Sequence, residues 1–303
     1  MNYKKVVYDS WQLVQDHTYL QWFAALPMMA MIFVDALYMP ARWGNKIVDN
    51  FWGEAREFVI NFYNEHNSLF MIVAIVFALS FLIYIFLNAF FEGGLIGMIN
   101  RIIQNNNQPI RSSLGFGYGA KTFGRLLKLH AITALMNPVI IYILMSVLHD
   151  YEQAIYDLLF WPLFVVLIVN VFLKLGISYS DYETVIHKTP VLKSIKNSFS
   201  IVIFNLKETI FIALIVGLIL LRAILNLLLI FIVPAFLIWI STKIIGIGLS
   251  TLAIALIVLM SLFIYYYMVK FASMFEVFIT AIWIFSYHEL SRTTQEHLEA
   301  ISG

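Results

Sequence analysis

The 303-residue chain contains no cysteine, which excludes disulfides, thiolate metal sites and cysteine nucleophiles. Charge is also scarce: 12% of residues are charged, against about 25% in a soluble domain. Neither sign dominates, and a net charge of +1 gives no basis for a nucleic-acid partner. A secretory signal needs about 7–15 apolar residues soon after a basic start. Residues 1–18 are instead polar, with Lys4, Lys5, Asp9 and Asp16, so none is expected.

Three catalytic signatures are incomplete. A P-loop requires glycine beside its lysine, a preceding strand and a soluble α/β domain. Here Gly115 is followed by Ala120-Lys121-Thr122, with alanine where the last glycine belongs. The glycine-rich stretch Gly115–Gly119 reads instead as a flexible turn feeding a basic amphipathic helix. His288-Glu289-Leu290-Ser291-Arg292 starts like a zinc-protease helix but carries arginine at the second histidine position. No serine lies in a G-x-S-x-G elbow. The seven histidines are scattered along the chain, and no paired carboxylates mark a pocket. Catalytic, cofactor-binding and metal residues are therefore expected to be absent, and the chain reads as a non-enzyme.

What the sequence does have is hydrophobicity: 61% of residues are hydrophobic, and the mean hydropathy is +0.85. Crossing a bilayer takes about 20 mostly apolar residues. Six such spans are expected, at about 19–39, 68–91, 129–148, 156–176, 209–232 and 249–270. With the N-terminus inside, fourteen of the nineteen Lys and Arg residues fall in inner segments and four in outer loops, with Arg222 inside a span. The segment 249–287 is too long for one crossing. Either Phe271–Tyr287 is a seventh span, or it bends along the inner surface.

Internal repetition favours the bend. Phe91-Glu92, Tyr182-Glu183 and Phe275-Glu276 each end an even span, and Ser10-Trp11, Thr122-Phe123 and Ser198-Phe199 each precede an odd one. The predicted fold is all-α: a polytopic bundle of six transmembrane helices as three hairpins, each entered through a short amphipathic surface helix. An outer amphipathic segment covers 42–67, and a cytoplasmic surface segment and tail covers 271–303. The expected membrane-facing rows are Tyr3, Val7, Trp11 and Val14; Phe123, Leu126, Leu127 and His130; and Leu192, Ile195, Phe199 and Val202.

Three groups of polar residues stand out. Asp35, Arg222 and Asn226 lie within spans, where charge needs a partner, and they read as a structural pair helped by Asn226. Lys121, Arg125 and Lys128 share a helix face suited to anionic headgroups. Glu92, Glu183 and Glu276 either cap helices, pair with basic residues or line a shared inner site; pairing is the preferred reading.

The stretch Asp181–Asn205 carries Tyr182-Glu183, then Val185-Ile186, then a basic helix with Lys193, Lys196, Ser198 and Phe199. It resembles prokaryotic six-span membrane proteins that include the membrane domain attached to some glycerophosphoryl diester phosphodiesterases. Phe275–Leu290 is similar to the end of such domains. The resemblance implies a membrane bundle and transfers no active site, because that family's catalysis belongs to a separate soluble barrel.

The expected role is non-enzymatic support of an envelope process by organising lipid or partner proteins. The expected location is the cytoplasmic membrane of a prokaryote, with both termini cytoplasmic. Membrane lipids, anionic at the inner face, are the expected partners, with other proteins or a second copy beside them. Two rivals remain: a transporter or lipid-handling permease with a cavity between hairpins, and a membrane enzyme acting on lipid headgroups. A continuous polar cavity reaching Arg222 would mark the first; clustered acids or histidines with a metal would mark the second.

Overall fold

A computed structural model describes residues 1–29, 67–105, 111–134, 141–142, 144–145, 148–149, 153–222 and 251–302. Every regular element among them is a helix: α1 (Tyr3–Asp16), α2 (Asn67–Gln104), α3 (Ser113–Ala134), α4 (Gln153–Gly176), α5 (Ser180–Ile186), α6 (Val191–Phe204), α7 (Leu206–Arg222) and α8 (Thr251–Ser302), with a further helical run over 19–29.

The helix ends follow from local chemistry. The Asn2 side chain caps α1 by accepting the Lys5 amide at 3.2 Å. At the break between α4 and α5, the Ser198 hydroxyl donates to the Gly176 carbonyl at 2.7 Å and accepts the Tyr179 amide at 3.0 Å. Those backbone groups would otherwise be orphaned. Asn205 leaves the helical region and turns α6 into α7 through 99°. Its amide donates to the Ile201 carbonyl at 3.0 Å and the Thr294 hydroxyl at 2.8 Å, which ties the bend to α8.

Among the described residues, Leu82–Gln104, Ile155–Ile186 and Tyr265–His297 are long and apolar enough to cross a membrane. The bent pair α6 and α7 would make a fourth. The described residues thus contain three helices of this kind, where six spans were expected of the whole chain. The expected spans 19–39, 129–148 and 209–232 are only partly described, and the outer segment 42–67 lies outside the described residues.

Three expectations are corrected. The surface helix and third span do not separate, since α3 runs through His130 without a break. The Gly115–Gly119 stretch lies within α3 and is no flexible turn. Residues 271–287 neither bend away nor start a new span: α8 is one helix of 52 residues, about 78 Å at ~1.5 Å per residue. A helix of that length exceeds one bilayer crossing, but lipid does not have to cover all of its apolar residues. Instead Val277, Ala281, Ile284 and Tyr287 are completely buried by protein, where α8 packs on α1, α2 and α6.

The core lies where α1, α3, α5 and α6 surround the C-terminal halves of α2 and α8. Its tightest contact is α2 against α3. A Cβ on Gly94 would stand 2.6 Å from the Gly115 carbonyl oxygen, and one on Gly119 would stand 2.6 Å from that of Phe90. Backbone lies against backbone here, the geometry that small residues four apart allow between membrane helices. Gly115 and Gly119 of the glycine-rich stretch therefore serve helix packing, whereas Gly117 has open space beside it.

The buried rows of the three short-helix segments share only Val14, Leu126 and Val202 with the apolar rows that the sequence suggested. They run through Val6, Ser10 and Leu13 in α1, Gly119, Thr122 and Leu126 in α3, and Ser194, Ser198 and Ile201 in α6. The hydroxyl residue of each [ST]-aromatic motif is buried. By contrast, Leu192 of the expected third row is 75% exposed.

Candidate functional site

The three repeat glutamates meet different fates. Glu183 is buried and accepts the Asn197 amide at 2.6 Å and the Tyr287 hydroxyl. These contacts join α5, α6 and α8. Glu92 of α2 faces His130 of α3, with Oε2 to Nε2 at 3.3 Å. The same Nε2 lies 3.4 Å from Oδ1 of Asp181 on α5. Glu276 of α8 and Lys174 of α4 are close enough to act electrostatically on Glu92. The partners of Glu92 and Glu183 in these contacts are thus a histidine, an amide and a phenol, where lysine or arginine was expected. The expectation that no carboxylates pair at one place, and that the histidines are merely scattered, is corrected at His130.

The basic trio divides. Lys121 and Lys128 are exposed. Arg125 donates to the Lys188 carbonyl at 2.5 Å and the Lys121 carbonyl at 3.5 Å. Lys188 has a positive φ of 56°, so Arg125 stitches α3 to the strained turn between α5 and α6. His288, from the incomplete zinc-protease motif, is half-buried and bonded to Asn100 at 2.8 Å. Glu289 turns elsewhere, with Oε1 3.7 Å from the N-terminal amino group.

The expected pair of Asp35 with Arg222 and Asn226 has two members, Asp35 and Asn226, outside the described residues. Arg222 is the last described residue of α7 and lines a cavity of about 1390 Å³ between α1, α7 and α8. The long walls are apolar and aromatic, including Trp11, Phe211, Ile215, Ile219, Phe275 and Phe278. Trp11 meets Phe278 edge to face at 5.4 Å between centroids, and Tyr3 packs on Phe211 at 4.5 Å. Lys4 and Glu289 line the same cavity. Burial, together with Glu208 and Glu289, pushes the Tyr3 phenol pKa above its ordinary value.

Pockets for drug-sized ligands run to about 300–1,000 Å³ and are mostly apolar with a few placed polar groups. This cavity is larger and has the same make-up. From Phe211 to Arg222 it follows α7 for about 16 Å, at ~1.5 Å per residue. Its shape suits a long apolar chain with a polar group at an end.

Sequence reasoning found Arg222 and Glu92 but missed their surroundings. Asp181 stands one residue from the Tyr182-Glu183 pair and was passed over for it. His130 was placed on an apolar row, although a histidine at the inner end of an expected span was itself a signal.

No family model, no curated protein and no solved structure matches this chain.

Proposed function

We propose that this chain is a non-enzymatic integral membrane protein that holds membrane phospholipid in the cavity between α1, α7 and α8. The supporting observation is the cavity itself: large, elongated, apolar along its walls and charged at Lys4, Glu289 and Arg222. A phospholipid brings an apolar chain for Ile215, Ile219 and Phe275, and a phosphate for Lys4. Burying acyl carbons against such walls is favourable by about 0.8 kcal/mol per CH₂ relative to water, and contact with aromatic rings replaces contact with other lipids.

The accompanying location is the cytoplasmic membrane of a prokaryote, with both termini inside. The closeness of the N-terminal amino group to Glu289 supports termini on one side, since α1 and the C-terminal half of α8 pack together. A polar-solute transporter is disfavoured by the apolar walls. A lipid-handling permease is the neighbouring reading, favoured by the cavity's reach from Lys4 to Arg222.

The test is lipid analysis of protein purified in mild detergent. Phospholipid should co-purify at about one per chain. Ile215→Trp, which fills the cavity from α7, should lower it severalfold while helix content stays unchanged. Wild-type protein without bound lipid, or an Ile215→Trp variant carrying as much as wild type, would defeat the reading. Passage of a fluorescent lipid between leaflets of reconstituted liposomes would favour the permease.

A further inference from the structure

We propose that Glu92, His130 and Asp181 form a binding site for one divalent transition cation of the Zn²⁺ class, at the junction of α2, α3 and α5. The proposal is independent of the lipid reading, because the cavity lies between other helices, α1, α7 and α8.

The donor set comes first. One imidazole nitrogen and two carboxylate oxygens, one from each helix, all lie within 4.8 Å of one another. An imidazole with carboxylates suits zinc and its first-row neighbours, whereas magnesium and calcium prefer oxygen alone.

The distances then separate an ion site from a salt bridge. Charge-assisted N–H···O bonds are about 2.7–2.9 Å long. The two contacts here are 3.3 and 3.4 Å, and both end on the same Nε2. That nitrogen carries at most one hydrogen, so it cannot donate well to two carboxylates on different helices. A tetrahedral ion with bonds of ~2.1 Å sets its ligands ~3.4 Å apart, which matches both contacts. A cation in place of the shared proton would serve all three donors at once.

Charge and access agree with this. Asp181 and Glu276 both act on Glu92, giving three carboxylates against His130 and Lys174. A divalent cation offsets that excess. The three side chains are 24–25% exposed, so protein does not close over the site. Three protein ligands leave a fourth tetrahedral position for water or another oxygen ligand, the pattern of an open rather than a closed zinc site.

The experiment uses full-length protein in detergent, stripped with chelator and titrated with Zn²⁺, and in parallel with Mg²⁺ and Ca²⁺. One Zn²⁺ should bind per chain, raising the unfolding temperature, while Mg²⁺ and Ca²⁺ should bind far more weakly. X-ray absorption of the loaded wild type should report nitrogen and oxygen ligands at about 2.0–2.2 Å. His130→Gln and Asp181→Asn should each weaken Zn²⁺ at least about a hundredfold, beyond what loss of a supporting residue costs. His288→Gln, altering a half-buried histidine away from the site, should leave binding intact. Should one ligand variant fail to fold, the other and the wild-type absorption spectrum still decide. Absence of saturable Zn²⁺ binding, wild-type Zn²⁺ affinity in either folded ligand variant, or equally tight Mg²⁺ would each overturn the site.

Discussion

The C-terminal half of α2 and the whole of α4 are both apolar helices, yet they sit in opposite surroundings. In α2, Ile96, Met98, Ile99 and Ile102 are at most 1% exposed. In α4, Leu158, Trp161 and Phe172 are 76%, 69% and 65% exposed among the described residues. Hydrophobicity does not separate them. Small residues do: α2 has Gly93, Gly94 and Gly97 facing α3, while α4 has no glycine before Gly176. Lipid tails are as apolar as leucine, so burial between membrane helices is selected by how closely backbones approach.

The largest expected effect comes from truncating one residue in each helix. Ile99→Ala should cost about 2–5 kcal/mol, through lost transfer energy and the cavity left behind. Leu158→Ala should stay within about 0.5 kcal/mol. Thermal unfolding in detergent distinguishes them, and equal losses would mean that α4 is covered as well as α2.

A second pair tests the small-residue argument within α3. Gly119→Ala drives a methyl group onto the Phe90 carbonyl and should cost about 1–3 kcal/mol. Gly124 has open space beside it, so Gly124→Ala should be neutral or stabilise by up to ~1 kcal/mol through helix propensity. Equal melting temperatures for the two variants would break the comparison.

Glu183→Ala strands the Asn197 amide and the Tyr287 hydroxyl in the core and should lose about 1–3 kcal/mol of stability. Loss of that link should increase amide hydrogen exchange in α5. An unchanged exchange pattern would show that packing alone holds α5 in place.

The smallest effect concerns the exposed charges. Lys121→Gln and Lys128→Gln should each weaken binding to anionic vesicles by up to ~1 kcal/mol with no change in melting temperature. Arg125→Gln should lower the melting temperature instead, because its guanidinium is committed to the Lys188 carbonyl. A reversed pattern would return Arg125 to the lipid-facing set.

Some of this was legible from the residues alone. Low charge and long apolar runs require helices, because a backbone in lipid must satisfy its own hydrogen bonds. The Asn205 break and the short helix before it could be read from a basic, serine-containing segment ahead of an apolar one. Of the useful polar positions, Arg222 stood out because charge is costly within a span, and Glu92 because an aromatic-glutamate pair recurs along the chain.

The sequence therefore determined the all-helical class and the presence of helices long and apolar enough to cross a membrane, though not their number. Tertiary structure alone decided which face is buried, because Ser10, Gly119 and Ser198 look like gaps in a hydrophobic pattern yet lie buried in the core. It also decided that α8 continues unbroken, since protein covers residues that lipid alone could not. Glu92, His130 and Asp181 meet for the same reason. They are separated by 38 and 51 positions along the chain (130 − 92; 181 − 130). No local periodicity relates them, and only the packing of three helices brings their donor atoms together.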